Sequence, residues 1–311
     1  MKIAFVLLVL ALAVAAEKNG SRSPVYDYHR REGIPRANFI RAYEQSALLS
    51  SGSRIVGGNA IDISNTPYQI GLVMRILWIF QSVCGASLIS NTRAITAAHC
   101  KSDGSITAQD VTVVLGSNTL FSGGVRHTLS PDEVIMHPEW NFEMVENDIA
   151  IIRMPFISYT NVIQPIALPT GGELFMDFVG QTALASGYGA TADGTSIGIT
   201  QFLSAVELPV IPNAQCAQVY GPYVKDTNIC VSGADGKSTC GGDSGGPLLT
   251  VLLNSSSGLK KMTSYGHIDG CEVGYPAAFA RITILLHLNW GTNKFASKTM
   301  CDGLENNVRT N

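Results

Sequence analysis

Three short segments of the 311-residue chain carry side chains suited to nucleophilic chemistry. They are Thr96-Ala97-Ala98-His99-Cys100, Asn147-Asp148-Ile149-Ala150 and Gly242-Asp243-Ser244-Gly245-Gly246-Pro247. A serine hydroxyl is a poor nucleophile near neutral pH, so an adjacent imidazole must take its proton during attack. A histidine imidazole can accept that proton and return it to a leaving amine, the role His99 is placed to take. Gly242 and Gly245 permit a tight turn around Ser244 in which backbone N–H groups can face one point. Taken singly, each segment reads as local structure: a histidine packed beside a cysteine, an Asn-Asp turn, a glycine-rich turn. The order His, Asp, Ser, with gaps of 49 and 96 residues, makes them a set.

That set resembles the trypsin/chymotrypsin family of serine proteases, over Ile55 to about residue 295. The resemblance implies a triad in which Asp148, buried, holds His99 in the useful tautomer and stabilises the imidazolium, while Ser244 attacks. It further implies an oxyanion hole from the amides of Gly242 and Ser244, and a hydrogen bond from Ser264 to the triad aspartate. Arg54-Ile55-Val56-Gly57-Gly58 matches the family's zymogen cleavage site. Cutting after Arg54 frees the Ile55 ammonium, which in the family folds inward and pairs with the residue before the nucleophile, here Asp243. The disulfides so implied are Cys84–Cys100, Cys216–Cys230 and Cys240–Cys271, leaving Cys301 over.

Specificity is read from the same alignment of motifs. Ser238 falls at the floor of the primary pocket, Gly266 on its wall, and Ala277 where its methyl shortens the cavity. A neutral floor does not offset desolvation of a guanidinium. Cleavage is therefore expected after Phe, Tyr, Leu or Met, with an elastase-like preference for small residues as the runner-up. A digestive role is expected, with a cascade protease of narrow specificity as the alternative. Asp269 near the pocket is the one feature that favours a basic side chain. Since the enzyme is not expected to cut after its own Arg54, a trypsin-like activating protease is expected, besides protein or peptide substrates and proteinaceous inhibitors. A catalytically dead homologue acting as a binding module is the rival of a different class. It is disfavoured because all three triad residues and the activation sequence are present.

The elements that must position these residues are short. From Ile55 onward, β-like runs at 68–74, 84–89, 94–98, 111–115, 149–154 and 181–186 alternate with Gly/Asn/Pro turns, which argues an all-β barrel or sandwich. The resemblance sharpens this to two six-stranded antiparallel barrels, at about 55–165 and 166–282. A terminal helix follows at about 283–295, with Ile282, Leu285, Leu286 and Trp290 on one face, then a polar tail, 296–311. Ahead of the domain, 1–16 reads as a signal peptide: Lys2, an apolar stretch too short to span a bilayer, and small residues at its end. Residues 17–54 read as an activation propeptide with seven basic and four acidic residues, whereas the chain from residue 55 on has 13 and 20. A short helix is expected at 37–49, and with no cysteine to tether it the propeptide is expected to leave after cleavage.

Composition agrees with a secreted domain, which is expected to be a monomer. Apolar residues make up 46% and charged residues 14%, and the net charge is −3 with no like-charged block. Disorder, nucleic-acid binding and an anionic membrane surface are thereby disfavoured. The stretch after Leu115-Gly116 lacks the acidic pair of the family's calcium loop, and no Cys/His cluster has zinc spacing, so no metal and no cofactor are expected. Asn19 and Asn254 begin N-glycosylation sequons, Asn254 being the one that outlasts propeptide removal.

Overall fold

In the computed structural model, residues 23–49, 59–190, 203–250 and 258–282 are described. The expected signal peptide, Asn19, the Arg54-Ile55 junction, Asn254, the expected terminal helix and the tail with Cys301 lie outside the described residues. No helix among those described is long and apolar enough to cross a membrane.

Two antiparallel sheets form the body. The first contains β2 (Gln69–Ile76), β3 (Phe80–Ser90), β4 (Arg93–Thr96), β5 (Asp110–Leu115), β6 (Val125–Leu129), β7 (Val134–Met136) and β8 (Ala150–Arg153), in the order β6-β5-β2-β3-β4-β8-β7. Its edge strands β6 and β7 are consecutive in the chain, joined by a turn at Pro131–Glu133, so the sheet closes through a bend rather than a ladder. Counting that bent pair as one stave gives the expected six. β2 buries all but one residue and β3 buries its central seven, and Ile70, Leu72, Met74, Ala86 and Leu88 fill the barrel interior.

The second sheet contains β9 (Thr182–Gly187), β10 (Ser204–Ile211), β11 (Asn228–Val231), β12 (Pro247–Thr250), β13 (Gly258–Tyr265) and β14 (Ala277–Arg281), and the β9–β10 ladder closes it. β1 (Asn59–Ala60) adds a seventh strand by pairing with β10. The expected division near residue 165 thus needs one amendment: the first strand of the domain belongs to the second sheet. Leu208, Val210, Val231, Leu248 and Phe279 pack the interior.

Before the barrels, a π-helical turn (His29–Gly33) runs into α1 (Ile34–Leu49), longer than the helix expected from the sequence. Pro35 sits in the first turn of α1, where its missing N–H is no loss. A second helix, α2 (Asn213–Tyr220), had no counterpart among the expected elements; Cys216 on it is disulfide-bonded to Cys230 on β11.

Candidate active site

The pairing of β4 with β8 brings two of the three segments together. Thr96 is opposite Ala150, so the residues just after β4 and just before β8 emerge at the same end of the ladder. His99 lies on the turn Ala98–Cys100 that follows β4, and the Cys84–Cys100 disulfide ties that turn to β3. Asp148 Oδ1 accepts the His99 backbone N–H at 2.9 Å, and Oδ2 lies 2.8 Å from His99 Nδ1. Both side chains are essentially inaccessible to solvent. With Nδ1–H directed at the carboxylate, Nε2 is the ring edge left to exchange a proton.

Ser264 completes the carboxylate's shell, its hydroxyl donating to Asp148 Oδ2 at 2.5 Å. It sits where the β13–β14 register shifts between Thr263 and Tyr265. Such irregularities re-aim side chains, here across the boundary between the barrels.

Ser244 lies on the turn before β12, whose first residue is Pro247. Its carbonyl accepts Gly85 N–H from β3 at 2.7 Å, and Gly245 N–H donates to Thr263 O at 2.7 Å. The turn is therefore stitched to both barrels. Gly245 has φ +77° and Gly242 φ +97°, conformations in which a Cβ is strained. The Cys240–Cys271 disulfide holds the stretch leading into this turn.

Asp243 lies beneath Ser244. Its carboxylate accepts Gly189 N–H at 2.8 Å and Cys240 N–H at 3.0 Å. Burial pushes its carboxyl up to about 6, against the pull of those amides and of the Arg36 charge. It borders a cavity of about 500 Å³ lined also by Ser238. A second cavity of about 210 Å³ opens beside Ser244, with Thr239, Cys240 and Gly266 on its wall. The three expected pocket residues are accordingly not gathered in one space. Gly266 lines the smaller cavity and Ser238 the larger. Ala277 lines neither, because it points into the interior of the second barrel beside Val231 and Phe279. Asp269 keeps 63% of its side chain exposed, 3.5 Å from His267 Nδ1.

The part of the site that sequence reasoning missed comes from the segment ahead of the domain. The Tyr28 ring stands edge-on to the His99 imidazole, with centroids 4.8 Å apart. Its phenol donates to Val83 O at 2.8 Å, and Tyr28 shares the wall of the smaller cavity with Ser244. Among the described residues no hydrogen bond joins His99 Nε2 to Ser244 Oγ; Nε2 lies 3.9 Å from Cys100 Sγ. The following turn and helix lie over the backbone before Ser244. A Cβ on Gly241 would run into Glu32 Oε2, and one on Gly242 would lie 2.8 Å from Arg36 Cγ. The signal for this contact was faint. The face of the segment that meets the barrels, residues 33, 37, 40 and 44, reads Gly, Ala, Ile, Glu and shows no apolar stripe.

One cluster, Cys84, His99 and Cys100, has the proximity of a metal site. Its two sulfurs are bonded to each other, so neither is a thiolate able to ligate.

Comparison with known proteins agrees with this geometry. The family model described as Trypsin matches residues 55–288. Brachyurin from Leptuca pugilator is 37% identical over 234 residues, 75% of this chain and 95% of that protein. Serine protease 1 of Drosophila melanogaster is 33% identical over 240 residues, 76% and 84% of the two chains. Collagenase from Hypoderma lineatum is 34% identical over 285 residues, 91% and 95%. That last match is longer than the stretch from Ile55 to the end of the chain, so it reaches into the segment carrying Tyr28. A solved collagenase structure is 36% identical with a TM-score of 0.66, covering 78% of this chain and all of its own. The chain belongs to the trypsin family of serine proteases and is a serine endopeptidase.

Proposed function

We propose that this chain is a secreted zymogen, cut after Arg54 by a trypsin-like protease, whose product hydrolyses peptide bonds after large apolar residues. In that reaction Ser244 Oγ attacks the scissile carbonyl while His99 Nε2 takes its proton. Asp148, oriented by Ser264, stabilises the imidazolium that results. The amides of Gly242 and Ser244 receive the oxyanion, and His99 then returns the proton to the leaving amine. The observation that carries this reading is the buried Ser264–Asp148–His99 hydrogen-bond chain, with the neighbouring Cys100 Sγ 3.6 Å from the Ser244 carbonyl oxygen.

Activation is supported by Asp243. A carboxyl that burial holds near 6 is costly to ionise alone, and a cation delivered to it offsets that cost. The free Ile55 ammonium supplies such a cation, and the cavity beside Asp243 has room for a chain terminus. Preference for apolar side chains is supported by the smaller cavity: none of its barrel residues is Asp or Glu. The outward position of Asp269 weakens the case for a basic side chain.

The test is a fluorophosphonate probe together with a peptide library. Ser244 is expected to take label after cleavage at Arg54 and not in Arg54→Gln. The activated enzyme is expected to cut after Phe, Tyr, Leu and Met, and not after Arg or Lys. Full labelling of uncut Arg54→Gln would overturn the zymogen reading, and cleavage chiefly after basic residues would overturn the specificity. Because the Hypoderma relative is named a collagenase, native collagen belongs among the protein substrates tried.

A further inference from the structure

We propose that residues 23–49, once severed from the domain, remain a reversible inhibitor that the cleft of the mature enzyme is built to hold. This rests on the zymogen reading above and adds a second barrier to activation, release of the segment.

The first argument is what the segment places in the cleft. Tyr28 has helical backbone angles, φ −50° and ψ −44°. It offers Ser244 a phenol, where a substrate would offer a peptide carbonyl. A phenol edge-on to the imidazole, on the wall of the cavity beside Ser244, presents no acyl group to attack and stands in the space a substrate would enter. The segment is thus an occupant rather than a substrate.

The second argument is how it is held. Val25 is buried with Tyr220 and Tyr265 of the second-barrel half and with Val145 from the loop between β7 and β8. Ala37 and Ile40 are buried with Val73, Val83 and Val114 of the first barrel. Farther along α1, the Glu44 carboxylate is 4% exposed and accepts Leu120 N–H at 2.6 Å, Phe121 N–H at 2.9 Å and the Ser122 hydroxyl at 2.9 Å. A carboxylate with several donors in a dry setting is a strong, direction-specific anchor. None of these contacts uses residues 50–58, so cutting the 54–55 bond removes none of them. The contact that the cut does alter is the Arg36 charge on Asp243, for which the new ammonium competes. Cleavage therefore weakens the hold and turns an intramolecular plug into a bimolecular one, whose occupancy falls on dilution.

The experiment cuts the purified full-length zymogen at Arg54, with mass spectrometry verifying an intact segment. Gel filtration and fluorophosphonate labelling of Ser244 follow over a hundredfold dilution series. The segment is expected to co-elute with the domain. The labelling rate is expected to rise roughly tenfold or more on dilution, as mass action requires. At fixed concentration the segment should raise KM for a small peptide substrate and leave kcat unchanged. Tyr28→Ala and Glu44→Gln, separately, should lose co-elution and label at a rate independent of concentration. Wild-type cut protein that labels fully at every concentration while its segment elutes alone would overturn the proposal. A cut chain that takes no label after the segment has been separated would instead overturn the catalytic reading beneath it.

Discussion

Replacing Gly245 by alanine tests whether the Ser244 turn is locked between the two barrels as described. At φ +77° an alanine costs about 1–2 kcal/mol in backbone strain alone. Its Cβ would also run into Thr96 Oγ1 and lie 2.5 Å from Gly85 O and 3.0 Å from Ala97 N. The turn must then back away from β3. That breaks the Gly85 N–H to Ser244 O bond and disturbs the Thr96 Oγ1 to Gly85 O bond, both 2.7 Å. Each is worth about 0.5–1.5 kcal/mol. The expected loss of stability is about 2–5 kcal/mol, the sum of strain and bonds. Guanidinium unfolding of the uncut chain measures it, and the labelling rate of Ser244 after activation reports the displaced hydroxyl. Gly172→Ala is the control: it lacks positive φ and has no atom within 4 Å of its Cβ, so it should change stability by less than about 0.5 kcal/mol. An unchanged unfolding midpoint and labelling rate in Gly245→Ala would refute the description of this turn.

Two further perturbations probe the same architecture. Replacing both Cys84 and Cys100 by alanine opens a 16-residue loop and should cost about 3 kcal/mol in the same unfolding assay. Labelling should fall with it, because the His99 turn loses its tie to β3; unchanged stability would show that the strand pairing alone holds the turn. Acid should loosen the docked segment through His29. Burial holds this imidazole down at about 4, with Asp103 and Asp27 favouring its charge and His99 opposing it. A depressed histidine contributes docking free energy that is complete above about pH 6.5 and is lost as pH falls toward 4, at most about 3 kcal/mol. Segment release, followed by gel filtration of the cut protein between pH 7 and 4, should therefore increase on acidification. His29→Gln should flatten that response, and an equally steep curve in the variant would assign the effect to another group.

Much of the site was legible because its chemistry is written locally. A serine between glycines, a histidine closing one strand and an aspartate opening another are recognisable by type and order. The six β-like runs all fell on strands, since alternating or continuous apolar residues between turn signals leave little else for those segments to become. Less legible was what depends on packing between elements. Ala277 reads as a pocket residue by position, but the pairing of β14 with β11 turns it into the barrel core. β1 crosses to the second sheet because its partner, β10, is more than a hundred residues away, and no local pattern encodes that choice.

Residue order by itself determined the strands, the turns and the kinds of side chain available for acyl transfer, because each follows from backbone preference and side-chain chemistry within a few neighbours. Tertiary structure alone decided that a segment resembling a spacer fills the cleft. Tyr28 finds its place only where His99, Ser244 and Val83 meet. Glu44 is tolerated in the interior only because the amides of Leu120 and Phe121 turn toward it. A buried charge is identified by the donors around it, and those donors come from parts of the chain that the fold, not the sequence neighbourhood, brings within reach.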